Sequence, residues 1–172
     1  MKKVSSVKCQ VSRKAKGFTL VELLIYMGLL TILMAILTRI FTGIIDVQLS
    51  SEATGAVEED GRYIYSRLTY DVGRAASILT PSSLGDQTNT LTILIGDVAH
   101  TYAIDNNNLV LANNQGIDQL NSVGTRISNV SFQRLGNVGG KDSIQIKFTI
   151  TSTTEQVNGP DTKNIETTVA LR

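Results

Sequence analysis

In the stretch "KAKGFTLVELLIYMGLLTILMAIL", Lys14 to Leu37, three residues have the types and spacing to do chemistry together. Glu22 lies among Leu20, Val21, Leu23, Leu24 and Ile25, where a carboxylate needs a proton, a cation or hydrogen-bond donors. Gly17 is a small residue at the junction of charge and hydrocarbon. An ordinary secretory signal is cut after its apolar region, whereas a cut after Gly17 keeps the apolar run and exposes an α-amino group on Phe18. That group is four residues from Glu22 and at the same helix end, where unpaired N–H groups and the helix dipole also favour an anion. The amine of the same or a neighbouring chain would complete the neutralisation. Taken without its neighbours, Glu22 reads better as a glutamate held protonated or tolerated near a membrane interface; the flanking residues are what turn the reading toward pairing.

The element that positions these residues is a long apolar segment. It extends from Phe18 to Ile45, broken only by Glu22 and Arg39, and about 20 residues at 1.5 Å each cross a bilayer. Residues 1 to 17 carry six basic side chains (Lys2, Lys3, Lys8, Arg13, Lys14, Lys16) and no acidic ones. This asymmetry predicts a single-pass protein with its leader in the cytoplasm and the remainder outside. Arg39 would then snorkel to the outer interface.

The formal net charge of +1 conceals that split. Beyond the leader, ten Lys or Arg face fifteen Asp or Glu, a balance near −5. Such an acidic body argues against an electrostatic grip on nucleic acid or anionic lipid. Cys9 is the only cysteine, so no intramolecular disulfide can form. No apolar run precedes it to mark a lipidation site, and it reads as an ordinary leader residue.

"KGFTLVELL", Lys16 to Leu24, resembles the processing site of the type IV pilin and type II secretion pseudopilin superfamily. The shared features are a basic leader, Gly17, Phe18, Glu22 fifth in the mature chain, and the apolar run behind them. The likeness covers about the first third of the chain. It implies that prepilin peptidase cuts between Gly17 and Phe18 and N-methylates Phe18. It further implies that Glu22 pairs with the Phe18 amine of an adjacent subunit during filament assembly. The partners implied are prepilin peptidase, other pilins or pseudopilins, an inner-membrane assembly platform and membrane lipid. One departure stands out: major pilins commonly have a helix-loosening proline about twenty-two residues into the mature chain, where this sequence has Arg39. Gly43 is the nearest residue able to weaken the helix there.

After Asp46 a helical rhythm continues, with Val57, Ile64, Leu68 and Val72 on one face and Glu58, Glu59, Asp60, Arg62 and Arg67 on others. Pro81 and the turn chemistry of "TPSSLGDQTNT" predict the helix end near Ser77. From Phe18 this makes one helix of about 60 residues, roughly 90 Å long. In "RYIYSRLTYDVGR" the interleaved tyrosines and arginines are better explained by Ile64, Leu68, Val72 and Tyr65 facing a sheet than by stacked bases. Beyond Leu91 the period becomes twofold. Ile144, Ile146, Phe148 and Ile150 alternate with polar residues, as do Ile165, Thr167, Val169 and Leu171. Leu91–Ile95, Val98–Ile104, Leu109–Ala112 and Ile127–Leu135 are further strands, with "IDNNNL" as a hairpin turn. The expected fold is α+β and pilin-like: a long N-terminal helix, transmembrane in its first half, packed on a C-terminal antiparallel β-sheet domain. The expected divisions are a cleaved leader at 1–17, the transmembrane and assembly part at 18–45, the amphipathic continuation at 46–77 and the sheet domain at 78–172.

Nothing in the sequence marks an enzyme. His100 is the only histidine and falls on the apolar parity of its strand, so it reads as a packed or rim residue. No zinc or EF-hand spacing, phosphate loop or nucleophile elbow is present, since "GNVGGK", Gly136 to Lys141, reads as a hairpin turn. No metal or other cofactor is implied. The leading reading is a structural subunit of a type IV pilus or type II secretion pseudopilus, as a minor subunit or J-class-like pseudopilin. It passes through the bacterial inner membrane into a periplasmic or extracellular filament. The alternatives are a single-pass membrane-anchored binding or sensory protein that does not polymerise, and a secreted adhesin or enzyme cut after the apolar run.

Overall fold

The computed structural model describes residues 17–137, 139–156 and 159–172. The basic leader through Lys16, with Cys9, lies outside the described residues, as do Val138 within "GNVGGK", Val157 and Asn158. One compact unit reaches Gly43 and a second runs from Ile44 to Arg172.

Helix α1 spans Leu20–Arg74. Thr19 caps its start, its Oγ1 accepting the Glu22 N–H at 3.2 Å while its carbonyl accepts the Leu23 N–H at 3.1 Å. No proline interrupts it. In the first unit the helix is exposed on all sides except at Glu22, which is half-buried. This part of α1 is long and apolar enough to cross a membrane.

In the second unit α1 packs on two antiparallel sheets. Its buried residues are Ala53, Val57, Asp60, Gly61, Ile64, Leu68, Asp71 and Val72, the threes and fours of one helix face. Burying Ile64 and Leu68, which are 0% and 1% exposed, contributes about 1.5–3 kcal/mol each. The helix ends at Arg74 rather than near Ser77. The Ala75 N–H turns back onto the Val72 carbonyl, and the Ala76 N–H already bonds the Leu94 carbonyl at 2.8 Å. A sheet partner therefore takes the backbone before proline can act, and strand β1 (Ser77–Thr80) begins where the helix was expected to stop.

The remaining strands are β2 (Gln87–Thr88), β3 (Leu91–Ile95), β4 (Val98–Asp105), β5 (Asn108–Asn113), β6 (Gly116–Gln119), β7 (Thr125–Leu135), β8 (Ser143–Ser152) and β9 (Thr162–Ala170). They form a five-stranded sheet in the order β1-β3-β4-β5-β6 and a four-stranded sheet in the order β2-β7-β8-β9. The "IDNNNL" turn is a two-residue hairpin between Asp105 and Asn108, with φ of 48° at Asn106 and 64° at Asn107. Both are positive, as a primed turn requires, and asparagine tolerates that region. Ile144, Ile146, Phe148 and Ile150 are all buried, so the predicted inward parity of β8 holds. Tyr65 does not face a sheet: it is 44% exposed, because it lies one residue past Ile64 and turns off the buried stripe.

Buried acids lock the helix to the strands. Asp60 Oδ2 accepts from Ser122 N at 2.8 Å, Ser122 Oγ at 2.7 Å and Thr125 Oγ1 at 2.5 Å. Asp71, 3% exposed, takes Arg67 Nε at 2.7 Å and the Tyr102 hydroxyl on the same Oδ2. Opposite, on β9, Lys163 Nζ meets Glu58 Oε1 at 2.5 Å. A Cβ at Gly61 would stand 3.0 Å from Ile165 Cδ1, so glycine permits that approach of helix to strand.

Candidate functional site

Gly17, Phe18 and Thr19 precede the helix in non-helical backbone, and Glu22 occupies the third helical position. The spacing Thr19-x-x-Glu22 is that of a capping box. Its first half is made by Thr19. In the second half the glutamate normally returns to the backbone, but here Tyr26 Oη donates to Glu22 Oε1 at 3.2 Å. One turn separates those residues, so they share a helix face. The Phe18 ring meets the Tyr26 ring edge to face, with centroids 6.0 Å apart and planes at 75°. Phe18, Glu22 and Tyr26 thus form one continuous cluster at the start of the helix.

The arrangement has definite chemical capacities. The carboxylate is an acceptor with one neutral donor, held where the helix dipole stabilises negative charge. It retains lone pairs for a cation. The scissile candidate, Gly17–Phe18, lies outside the hydrogen-bonded helix and is exposed at both residues. Neither Thr19 nor Tyr26 was singled out from the sequence, although the Thr-x-x-Glu spacing and the i+4 tyrosine were both there to be read.

In the second unit several titratable residues make contacts that hold the helix to the strands. Burial, the hydrogen bond to Asp71 and the charge of Asp71 together raise the Tyr102 hydroxyl far above its ordinary pKa. Asp71 likewise strengthens the proton affinity of the Arg67 guanidinium. The Lys163 ammonium holds the Glu58 carboxyl below the usual carboxylate range. His100 is half-buried on β4, with Nδ1 3.2 Å from the Val98 carbonyl, so that nitrogen carries a proton. Among the described residues no group of three or more His, Cys, Asp and Glu side chains is placed to hold a metal ion.

Residues 12–38 match the family model described as the prokaryotic N-terminal methylation motif. Searches of curated proteins and of solved structures each return no match. The motif spans Gly17, Phe18, Glu22 and Tyr26 together, and implies processing by prepilin peptidase and assembly with other pilin subunits. The pilin-like family that this motif marks is one of structural subunits. With that motif leading into an apolar helix whose later turns pack on antiparallel sheets, the chain is type IV pilin- or pseudopilin-like.

Proposed function

We propose that the protein is inserted in the bacterial inner membrane as a prepilin with its leader in the cytoplasm, cut between Gly17 and Phe18, and N-methylated on Phe18. It then assembles through the 18–45 segment into a type IV pilus or type II secretion pseudopilus as a minor subunit. Residues 1–17 are the discarded leader, 46–74 continue the helix within the globular part, and the strands that follow complete the domain presented outside. The carrying observation is the methylation motif over residues 12–38. It is supported by a half-buried carboxylate at the start of an otherwise exposed apolar helix.

Glu22 performs two tasks in this scheme. Within one chain its charge is supported by Tyr26 and by the helix amino terminus. At assembly the Phe18 amine of the adjacent subunit supplies the full counter-charge, so the electrostatic gain arises only in the packed state. In a low-dielectric helix bundle such a pair also specifies axial register, because displacement by one turn leaves both charges unpaired.

The test is the mass of the amino-terminal peptide from the native host together with the Glu22→Val variant. A terminus at methylated Phe18 is expected, and Gly17→Val should abolish it. Glu22→Val should be inserted and cut normally but enter filaments at least about ten-fold less, the equivalent of about 1.4 kcal/mol. A native peptide still carrying residues 1–17 would overturn the processing scheme. Normal incorporation of Glu22→Val would overturn the pairing alone.

A further inference from the structure

A cavity of about 400 Å³ opens on the second unit between the last turns of α1, strands β3 and β4, and the 113–115 turn. Its walls include Arg67, Tyr70, Arg74, Ile95, Val98 and His100. We propose that this cavity binds an organic carboxylate, whose oxygens meet the Nη edge of Arg67 and the Arg74 guanidinium while its apolar body lies against Ile95 and Val98.

Both arginines have intramolecular partners before any ligand arrives, Arg67 on a buried acid and exposed Arg74 on Tyr70. Arg67 gives its Nε to buried Asp71 at 2.7 Å. That bond engages Nε, and the two Nη groups present the planar fork that matches a carboxylate. Asp71 is fixed in turn by the Tyr102 hydroxyl, so the fork rests on a buried carboxylate and a strand. Arg74 Nη1 donates to Tyr70 Oη at 2.8 Å, and its guanidinium carbon lies 4.9 Å from the Tyr70 ring centroid. Its remaining donors are uncommitted among the described residues. A side chain fixed in advance loses less entropy on binding.

Charge and lining narrow the ligand class. Asp71 offsets Arg67, and no other acid lines the cavity, so Arg74 leaves one net positive charge. A monoanion balances that. Beside the Asn113, Asn114 and Gln115 side chains, Ile95, Val98 and the Tyr70 ring offer apolar surface, which suits an acid with an apolar body better than the more highly charged and hydrated phosphate. The carboxylate has two conceivable sources: an acidic side chain or chain terminus of a neighbouring subunit, or a free small acid. The proposal does not depend on how the amino terminus is processed.

Benzoate is the probe, added to the full-length protein in non-ionic detergent while the side-chain Nε–H resonances of Arg67 and Arg74 are followed. Saturable shifts of both are expected below about 20 mM, with benzamide and inorganic phosphate at least ten-fold weaker. Arg67→Lys, which keeps the charge but loses the fork, should weaken benzoate at least ten-fold. Arg74→Gln, which leaves the Asp71 contacts intact, should weaken it at least three-fold with no change in the unfolding midpoint. Equal binding of benzamide, undiminished binding by Arg74→Gln, or no saturation by the wild type would each overturn the proposal. Benzoate added to assemblies extracted from the native host then identifies the source. Release of neighbouring subunits assigns the carboxylate to a partner chain, and retention assigns it to a free acid.

Discussion

Replacing Tyr102 with Phe removes one hydroxyl from the interior and nothing else, since the ring stays and no cavity opens. The hydroxyl donates to Asp71 Oδ2, and both residues are buried, at 0% and 3% exposure. A hydrogen bond to a charged group contributes about 1.5–3 kcal/mol net. Asp71 keeps Arg67 on the same oxygen, so a loss near 2 kcal/mol is expected, or roughly 6–10 °C in the unfolding midpoint of the second unit.

Burial of the hydroxyl, together with the same contact, sets an alkaline limit. Tyr102 ionises far above its ordinary value of 10.0, so above that pH the folded chain holds a proton that the unfolded chain has lost. The contribution of Tyr102 is therefore complete below pH 10 and declines as pH rises beyond it. Urea unfolding of wild type and Tyr102→Phe in detergent, followed by near-ultraviolet circular dichroism, should give curves about 2 kcal/mol apart at pH 8. That gap should shrink as the pH passes 10. A gap under about 0.5 kcal/mol at pH 8, the size of an ordinary surface change, would refute the energetic assignment. A gap unchanged into strong alkali would refute the linkage.

Substitutions at two further positions test the helix. Asp60→Ala strands the Thr125 hydroxyl, 2% exposed, while water can reach Ser122; a loss of about 3 kcal/mol in urea unfolding is expected, and Asp60→Asn should fall between. Tyr26→Phe removes the donor 3.2 Å from Glu22 Oε1 and should leave the amino-terminal peptide mass unchanged apart from the substitution itself, while lowering filament incorporation several-fold. In a Glu22→Val background the same change should have no further effect, and an additive loss there would separate Tyr26 from Glu22.

What the sequence disclosed, and what it hid, follows from how far each pattern reaches. The apolar run, the stripe of Val57, Ile64, Leu68 and Val72, and the alternation of β8 depend on neighbours along the chain, so periodicity reveals them. Strand partners do not depend on neighbours, and one expected sheet became two. Three strands escaped notice for separate reasons: β1 continues the composition of the helix before it, β2 is two residues long, and β6 is exposed throughout and has no alternating face. The expected helix puts Asp60 on a face other than that of Val57 and Ile64. Yet it stands three residues past Val57 and four before Ile64, a spacing that places it on the core stripe. At the amino terminus, attention to Glu22 as a charge obscured Thr19 and Tyr26, whose roles are local hydrogen bonds.

The Thr19 cap also bears on how a membrane protease would meet this chain. Peptidases generally seize substrate as extended backbone, and unravelling a lipid-embedded helix to provide it would strand several N–H and C=O groups in hydrocarbon. Here regular winding starts at Leu20, beyond the Gly17–Phe18 bond, so under the proposed processing that peptide would be offered uncoiled while the apolar helix keeps every turn. On that proposal trimming and anchoring are uncoupled, with one threonine oxygen marking the frontier between them.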